Sequence, residues 1–365
     1  MIDVDKYLNG LKIKKDELTS IERDALYSAG KDVDRMPCCL DTGETMAPLI
    51  GISLDEYYHS SDRMLELELY LYENFHSDGA GVSMTLRGMA EAMGSEIRYS
   101  DRSIAVLEKP ALDSLDEVDK LKLVDIEKDG RLPIIIDGWK KVKKALGDKV
   151  PVSGTVTGPF TIASMLIGTE KLLIGTIKQP EKVHQMMEII AENNNRIIQR
   201  MIDLEIGIGF ADPVSSSSLL RRKQYQEFSL PYFQKNVDFI HSQGRNCGLH
   251  ICGGSKALWE DLNKTGIGLF GLDNCEDMAE AKEILGPHMM IQGNVPPVEV
   301  MLKGTPKDVL LSAKECIAKA WDSPNRMVLT PGCQMPLGTP KENMMALMDA
   351  ARIFGQWPIR PEVLE

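Results

Sequence analysis

The sequence lacks the surplus of positive charge that binding to nucleic acid requires. Its 54 acidic residues outnumber its 42 lysines and arginines, which gives a formal net charge of −12. Because a protein that binds a polyanion presents a basic face, we expect no nucleic-acid partner. The seven cysteines are odd in number and irregularly spaced, which favours a reducing compartment over a disulfide framework.

Signals for export and membrane insertion are also lacking. Residues 1–6 alternate acidic and apolar side chains and do not form a charged start followed by an apolar core. Residues 150–169 carry no charge over the length of a membrane span, but they contain prolines, glycines and six serines or threonines. We interpret them as a strand, a Gly-Pro turn and the start of a helix. We therefore expect a cytoplasmic protein without a membrane partner.

Short β-rich runs alternate with longer helical patterns, which is typical of parallel β/α units. Eight such runs predict an α/β protein of the (β/α)8 TIM-barrel class, with a doubly wound open sheet as the alternative. The predicted strands are 36–41, 80–85, 151–157, 206–211, 246–251, 268–273, 289–293 and 326–330. The predicted helices include 180–204, 222–243, 256–265, 278–285, 306–321 and 340–354.

We interpret the whole chain, 1–365, as one barrel domain. Residues 1–34 have a helical pattern and predict an N-terminal extension. Residues 88–149 are long, charged and partly irregular, and they predict an insertion that follows the second strand.

One histidine and two cysteines carry the clearest chemical signal. His250 and Cys252 are two residues apart at the end of a predicted strand, a spacing that turns both side chains to the same face. Together with Cys333 they offer one imidazole and two thiolates, which can hold zinc and leave its fourth position open. The chain has no Cys-x2-Cys pair of the kind that structural zinc sites often use.

Cysteines also fill hydrophobic cores, and this remains the alternative for Cys252 and Cys333. We expect the other five to be core residues: Cys38, Cys39, Cys247, Cys275 and Cys316.

Polar residues follow several predicted strands, where a barrel enzyme collects its active site. These residues are Asp41, Asp212, His250, Cys252, Asp273, Asn294 and Cys333. We predict catalytic roles for Asp212, Asp273 and Asn294, and Asp273 is also a candidate for the fourth, displaceable zinc ligand. Each residue also has a structural alternative. Asp212 and Asp273 are typical of helix caps, and Asn294 is typical of a turn.

Four short motifs recur at the ends of the predicted strands: His-x-Cys-Gly at 250–253, Ala-Asp-Pro at 211–213, Gly-Asn-Val at 293–295 and Gly-Cys at 332–333. Together they resemble the uroporphyrinogen decarboxylase superfamily, and specifically its zinc-dependent, corrinoid-linked methyltransferases. The decarboxylases carry an Arg-Gln-Ala-Gly-Arg motif after the first strand, but residues 38–44 here have no cation. The methyltransferase branch is marked instead by His-x-Cys and a distant cysteine, which match His250, Cys252 and Cys333.

The resemblance implies a barrel with zinc at its mouth that acts on a corrinoid carried by a partner protein. The second substrate is a small methyl donor or a thiol acceptor. We favour demethylation of a donor such as a methyl ether. An anionic thiol needs cations in its pocket, and Arg87 and Arg35 are the only cations near the predicted mouth of the barrel. Methionines 84, 89, 93 and 335 are candidates for an apolar donor pocket.

Two alternatives remain open. The first is methylation of a thiol such as coenzyme M by a methylated cobamide. The second is a decarboxylase-like enzyme or a non-catalytic corrinoid-binding scaffold, in which His250 and the cysteines are only packed.

Overall fold

Seven parallel strands form the main sheet of this protein, in a computed structural model that describes residues 12–364. In chain order the strands are β1 Ala80–Ser83, β2 Glu96–Arg98, β3 Val106–Lys109, β4 Val152–Thr157, β5 Gly207–Ala211, β6 Cys247–Ile251, β7 Leu269–Leu272, β8 Met290–Val295 and β9 Met327–Pro331. The order in the main sheet is β1-β4-β5-β6-β7-β8-β9, and each neighbouring pair is parallel. This order confirms a barrel built from β/α units.

The predicted first strand, 36–41, is not a regular strand. Cys38 makes an isolated parallel bridge to Leu329 of β9, and the Cys38 carbonyl accepts a hydrogen bond of 3.0 Å from the Asp78 backbone N–H near β1. The segment therefore lies between β9 and β1 and closes the barrel with few ladder bonds. The predicted position of this segment in the barrel is confirmed, and the prediction that it forms a regular strand is wrong.

Both sides of the strands are covered, which explains their apolar sequences. All five residues of β9 are buried, because one set of side chains faces the barrel interior and the other faces the surrounding helices. The other predicted strands match the observed ones within two residues at either end.

Helices surround the sheet and connect consecutive strands. They are α1 Ser20–Ser28, α2 Leu54–Tyr58, α3 Ser61–Phe75, α4 Gly88–Ala92, α5 Leu132–Leu146, α6 Pro159–Ile167, α7 Thr169–Lys178, α8 Pro180–Asp203, α9 Arg222–Gln224, α10 Leu230–Ser242, α11 Trp259–Leu262, α12 Met278–Ile284, α13 Pro306–Ala320, α14 Lys341–Phe354 and α15 Pro361–Leu364. The predicted helix 222–243 is interrupted by a π-helical segment, Tyr225–Ser229.

The predicted insertion is shorter than 88–149. It contains α4, the antiparallel hairpin β2–β3 and a 3-10 turn at Leu115–Lys120. Helix α5, at its end, belongs to the barrel's helical layer, since it packs on α3 and β1 and the Trp139 indole donates a 2.7 Å hydrogen bond to the Val82 carbonyl. Periodicity alone did not separate this helix from the irregular residues before it.

An ion-pair network lies at the amino ends of the strands, and we call it the basal network. Arg23 in α1 and Arg35 contact opposite oxygens of Asp78, at 2.6 and 2.5 Å. Asp34 pairs with Arg23 at 2.7 Å, and Asp16 pairs with Arg35 at 2.7 Å. The N-terminal extension is thus helical at α1 and fastened to the barrel, while residues 1–11 of the predicted extension lie outside the described residues.

No single helix within residues 12–364 is long and apolar enough to cross a membrane. Helices α6 and α7 are long and apolar enough only when they are counted as one segment, and a bend of 104° separates them.

Candidate metal centre and active site

The three predicted metal ligands lie at the rim, the edge of the barrel where the carboxyl ends of the strands meet. His250 is the penultimate residue of β6, and Cys252 follows the strand directly. Cys333 lies two residues after β9. Since β7 and β8 separate β6 from β9 in the sheet, the cysteines approach each other from different walls of the barrel.

The ligand atoms of these side chains form a compact group. The His250 Nε2 atom lies 3.1 Å from the Cys252 Sγ atom, which lies 3.5 Å from the Cys333 Sγ atom. All three atoms are within 4.8 Å of one another, and no other such His, Cys, Asp or Glu group occurs among residues 12–364. The structure therefore brings together the residues that the sequence nominated for a metal.

A hydrogen bond orients the His250 ring. Its Nδ1 atom lies 3.0 Å from the Gly271 carbonyl oxygen of β7. A carbonyl only accepts, so Nδ1 donates and Nε2 faces the two sulfurs. Metal-binding histidines commonly use their second nitrogen in this way.

Burial and hydrogen bonds within the group shift the pKa values of all three side chains. A hydrogen bond from the Cys252 thiol, opposed by burial and helped by the neighbouring His250, lowers the pKa of Cys333. The same hydrogen bond and burial raise the pKa of Cys252. Burial disfavours the imidazolium, but the hydrogen bond and charge of Cys333 outweigh it and raise the pKa of His250 to about 9. These shifts favour negative charge on Cys333 over Cys252.

Asp41 belongs to the same environment. It ends the barrel-closing segment, and its carbonyl accepts a 2.9 Å hydrogen bond from the Met335 N–H, two residues after Cys333. Burial raises the pKa of Asp41 to about 6, although the nearby His250 acts in the opposite direction. The sequence located this residue by its place after a predicted strand.

Asp273 and Asn294 hold the loops at the rim. The Asp273 carboxylate accepts a 2.8 Å hydrogen bond from the backbone N–H of Gly253, next to Cys252. The Asn294 amide donates to the carbonyls of Asp273 and Glu276, at 3.1 and 2.8 Å. Asp273 is not in the His–Cys group, and its other carboxylate oxygen accepts a 3.0 Å hydrogen bond from the Cys275 N–H.

Glu276 is a rim residue that the sequence reasoning missed. Its carboxylate accepts hydrogen bonds from the backbone N–H groups of Ser255, by a short contact, and of Lys256, at 2.9 Å. It thereby fixes the loop that follows Cys252. Its position three residues after Asp273 was the available signal.

Asp212 makes only internal contacts. It is 2% exposed, and its oxygens accept hydrogen bonds of 2.9 and 2.6 Å from the Thr161 N–H and hydroxyl and of 2.6 Å from the Ser215 hydroxyl. Burial raises the pKa of Asp212, and these hydrogen bonds oppose the rise. The residue joins β5 to the first turn of α6.

The remaining sequence expectations have mixed outcomes. Met84, Met89 and Met335 are fully buried and fill the core, whereas Met93 is half-buried. Among the five cysteines expected in the core, Cys38, Cys247 and Cys316 are buried and Cys39 is half-buried. Cys275 is exposed, so its assignment to the core is wrong; it lies in the turn after β7, beyond the buried part of that strand.

The two cations named for an anionic substrate occupy opposite ends of the barrel. Arg35 is 2% exposed and bound in the basal network, so it is far from the rim in the fold and already paired. Arg87 follows β1 on the rim side.

Residues 19–354 match the family described as Uroporphyrinogen decarboxylase (URO-D). The chain belongs to this family. Methylcobamide:CoM methyltransferase MtaA of Methanosarcina barkeri is 29% identical to it over 328 residues, which cover 88% of this chain and 94% of that protein. The methylated-thiol–coenzyme M methyltransferase of Methanosarcina mazei is 26% identical over 349 residues, with coverages of 92% and 90%.

A solved structure of a methyltransferase from Methanosarcina mazei has a TM-score of 0.82 and 25% sequence identity. The match covers 92% of this chain and 98% of that one. These similarities confirm the resemblance to the methyltransferase branch of the URO-D family that the histidine and cysteines indicated. The chain is an enzyme of that branch. The names of both of these Methanosarcina relatives specify coenzyme M and neither names an ether, so the preference for ether demethylation gains no support.

Proposed function

We propose that this URO-D family enzyme transfers a methyl group between a corrinoid carried by a partner protein and the sulfur of a small thiol. Zinc bound by His250, Cys252 and Cys333 is the proposed cofactor. The observation that carries the proposal is the convergence of these three ligand atoms within 4.8 Å. The similarity to coenzyme M methyltransferases supports a thiol as the acceptor.

The ligand geometry fits zinc. With Zn–S bonds of about 2.3 Å, two thiolates of a tetrahedral site stand about 3.8 Å apart, and the sulfurs here are separated by 3.5 Å. One nitrogen and two sulfurs are donors that zinc prefers, and they leave one position for a substrate atom. When bound, zinc supplies a site at which a thiol loses its proton and becomes a thiolate nucleophile at neutral pH.

The chain's own residues prepare that site. His250 is held by its Gly271 hydrogen bond, and Cys252 is held by the Asp273 contact to Gly253. During transfer the S–C bond forms as the Co–C bond breaks, and the electron pair of the broken bond stays on cobalt. The thiol proton leaves before this step. Rigidly held ligands would favour this step, because they would fix the position from which the thiol sulfur reacts.

We retain Asp273 as the proposed displaceable ligand in the absence of substrate. Its carboxylate is held next to Cys252 by the hydrogen bond from the Gly253 N–H. The proposed roles of Asn294 and Asp212 are positional, since the described contacts of both are hydrogen bonds within the protein.

A metal and transfer assay tests the proposal. Wild-type protein, purified without chelator or affinity metal, is expected to contain about one zinc per chain. It should also demethylate methylcobalamin in the presence of 2-mercaptoethanesulfonate. Cys333→Ser should lose the zinc and lower the rate at least about 100-fold, because a ligand is removed. Elemental analysis and the absorbance of methylcobalamin measure the two effects.

Cys275→Ser is the matched control, since Cys275 is an exposed thiol outside the His–Cys group. It should keep both zinc and activity. Full zinc content in Cys333→Ser contradicts the ligand assignment. Zinc-containing protein that demethylates an ether with cob(I)alamin but never methylates a thiol contradicts the proposed direction.

A further inference from the structure

Arg87 is a cation at the rim on the side of β1. It follows the last residue of β1, Ser83, by four positions. Two hydrogen bonds hold the intervening turn against β4: the Met84 N–H donates to the Thr155 carbonyl at 3.2 Å, and the Thr157 hydroxyl donates to the Thr85 carbonyl at 2.9 Å. Arg87 is therefore anchored at its backbone close to the same edge that carries the His–Cys group.

The Arg87 guanidinium has no acceptor within residues 12–364. Its Nε atom is buried without a hydrogen-bond partner, and the side chain forms no ion pair with any described carboxylate. By contrast, Arg23, Arg131 and Arg222 are each paired with acidic residues. A buried N–H group without an acceptor is unfavourable, so an anion that supplies one gains binding energy at this position.

A hydrogen bond joins the loop after Cys333 to the segment that contains Glu44. The Gln334 amide, next to Cys333, donates a 3.1 Å hydrogen bond to Glu44. Burial raises the pKa of Tyr58; the charge of Glu44 adds to the rise, and the charge of Arg87 opposes it. Glu44 is already engaged by Gln334 and makes no ion pair with Arg87 in the described part of the chain.

We propose that Arg87 binds an anionic group, a carboxylate or a sulfonate, at the end of the small substrate opposite its reacting heteroatom. The planar guanidinium presents paired N–H donors that match either group. This inference rests on the proposed function for the location of the reacting atom. It makes Arg87 a specificity-determining residue.

Binding of anions that cannot react tests the inference independently of turnover. Ethanesulfonate and propionate contain neither a thiol nor a transferable methyl ether, and calorimetric titration measures their affinity. Arg87→Gln should weaken binding of both anions about 10- to 100-fold, as expected for the loss of a charge-assisted pair. Arg87→Lys should lose less, because it keeps the charge. Arg102→Gln, which removes an exposed charge near the same insertion, should bind like wild type.

Kinetics with matched substrates identify the source of the anionic group. For thiols, Arg87→Gln should raise KM for 2-mercaptoethanesulfonate about 10- to 100-fold and leave KM for 2-mercaptoethanol unchanged. For methyl donors, the same comparison uses 4-methoxybenzoate and methoxybenzene with cob(I)alamin. If the substitution raises KM for the anionic member of only one of these two substrate pairs, that pair identifies whether the anionic group belongs to the thiol or to the methyl donor.

The two proposals fail in different ways. If wild-type protein methylates no thiol but anion binding depends on Arg87, the proposed function fails and the inference stands. If wild-type protein and Arg87→Gln have equal anion affinity and equal KM values, or if wild type binds neither anion and does not discriminate the matched substrates, Arg87 has no such role. Thermal melting of each variant establishes that it is folded.

Discussion

Asp212 is a buried carboxylate whose hydrogen bonds are all made within the protein. It connects the end of β5 to the start of α6 through Thr161 and also accepts from Ser215. Such a residue stabilises a helix start and a turn without needing to contact a substrate. This arrangement favours a structural role over a catalytic one, but Asp212 does not cap the 3-10 turn that follows it at Pro213–Ser215; its carboxylate binds Thr161 of α6 instead.

Asp212→Ala should therefore lower the free energy of unfolding by about 2–4 kcal/mol, because three donors lose their acceptor. Metal content should not change, since Asp212 is outside the His–Cys group. Denaturant unfolding and elemental analysis measure these effects, with the exposed Asp148→Ala as control. A variant of normal stability and metal content that has lost activity would return Asp212 to a catalytic role.

At the scale of residues, local spacing predicted part of the site. His250 and Cys252 were identifiable because a strand turns positions i and i+2 to one face. Cys333 is 81 residues from Cys252, and no local pattern connects residues so distant. It was nominated by its residue type, as a second thiolate for the same ion, and the family resemblance supported that assignment. The sequence shows that Arg87 is a cation, but whether its Nε atom has a partner depends on side chains from other elements and cannot be predicted from the sequence.

At the scale of elements, helix α3 contains a buried acid. Glu68 is 2% exposed; its Oε2 atom accepts a 2.9 Å hydrogen bond from the Gly81 N–H, and its Oε1 atom has no partner within the described residues. Burial raises the pKa of Glu68 to about 7 from its ordinary value of 4.5, although the Gly81 hydrogen bond opposes this. The folded protein thus keeps a proton that the unfolded chain releases.

The stability of wild type should consequently fall, relative to Glu68→Gln, as pH rises from about 4.5 to 7 and then stay constant. Below this range both states carry the proton, so Glu68 makes no pH-dependent contribution. The full difference is at most about 3 kcal/mol. Urea unfolding at pH 5 and pH 8 measures it, and Glu66→Gln on the exposed face of α3 is the control. Parallel pH profiles for wild type and Glu68→Gln contradict the expectation.

The elements that sequence patterns predicted well are those with a continuous apolar period. Strands such as β9 and helices such as α13, which begins with a Thr305–Asp308 capping box, are determined by their own residues. Segment 36–41 was assigned too much regularity, because its extended form depends on β9 and Asp78 rather than on a ladder of its own. The π-helical segment at Tyr225–Ser229 likewise has no separate periodic signal.

At the scale of the whole molecule, the basal network stabilises the end of the barrel opposite the site. Asp78 is 5% exposed, contacts both Arg23 and Arg35, and accepts a 2.8 Å hydrogen bond from the Cys38 N–H. Asp78→Ala leaves two buried guanidinium groups without this partner and should cost about 3–5 kcal/mol of stability.

Equilibrium unfolding in denaturant measures the loss. Asp62→Ala, which breaks the exposed pair with Lys141, should cost at most about 1 kcal/mol and serves as the control. Zinc per folded chain should be the same in both variants, because the network is remote from the rim. Equal stabilities of the two variants would contradict the structural importance of the basal network.

The sheet order has a consequence for how the enzyme tolerates change. Cys252 and Cys333 follow strands that are not neighbours, and β7 and β8 lie between them. The separation of the two sulfurs therefore depends on the width of the barrel wall and not on any one loop. We therefore expect substitutions in β7 or β8 that widen or narrow this wall to alter the affinity of the proposed zinc site without changing a proposed ligand, so that zinc affinity reports on the curvature of the barrel.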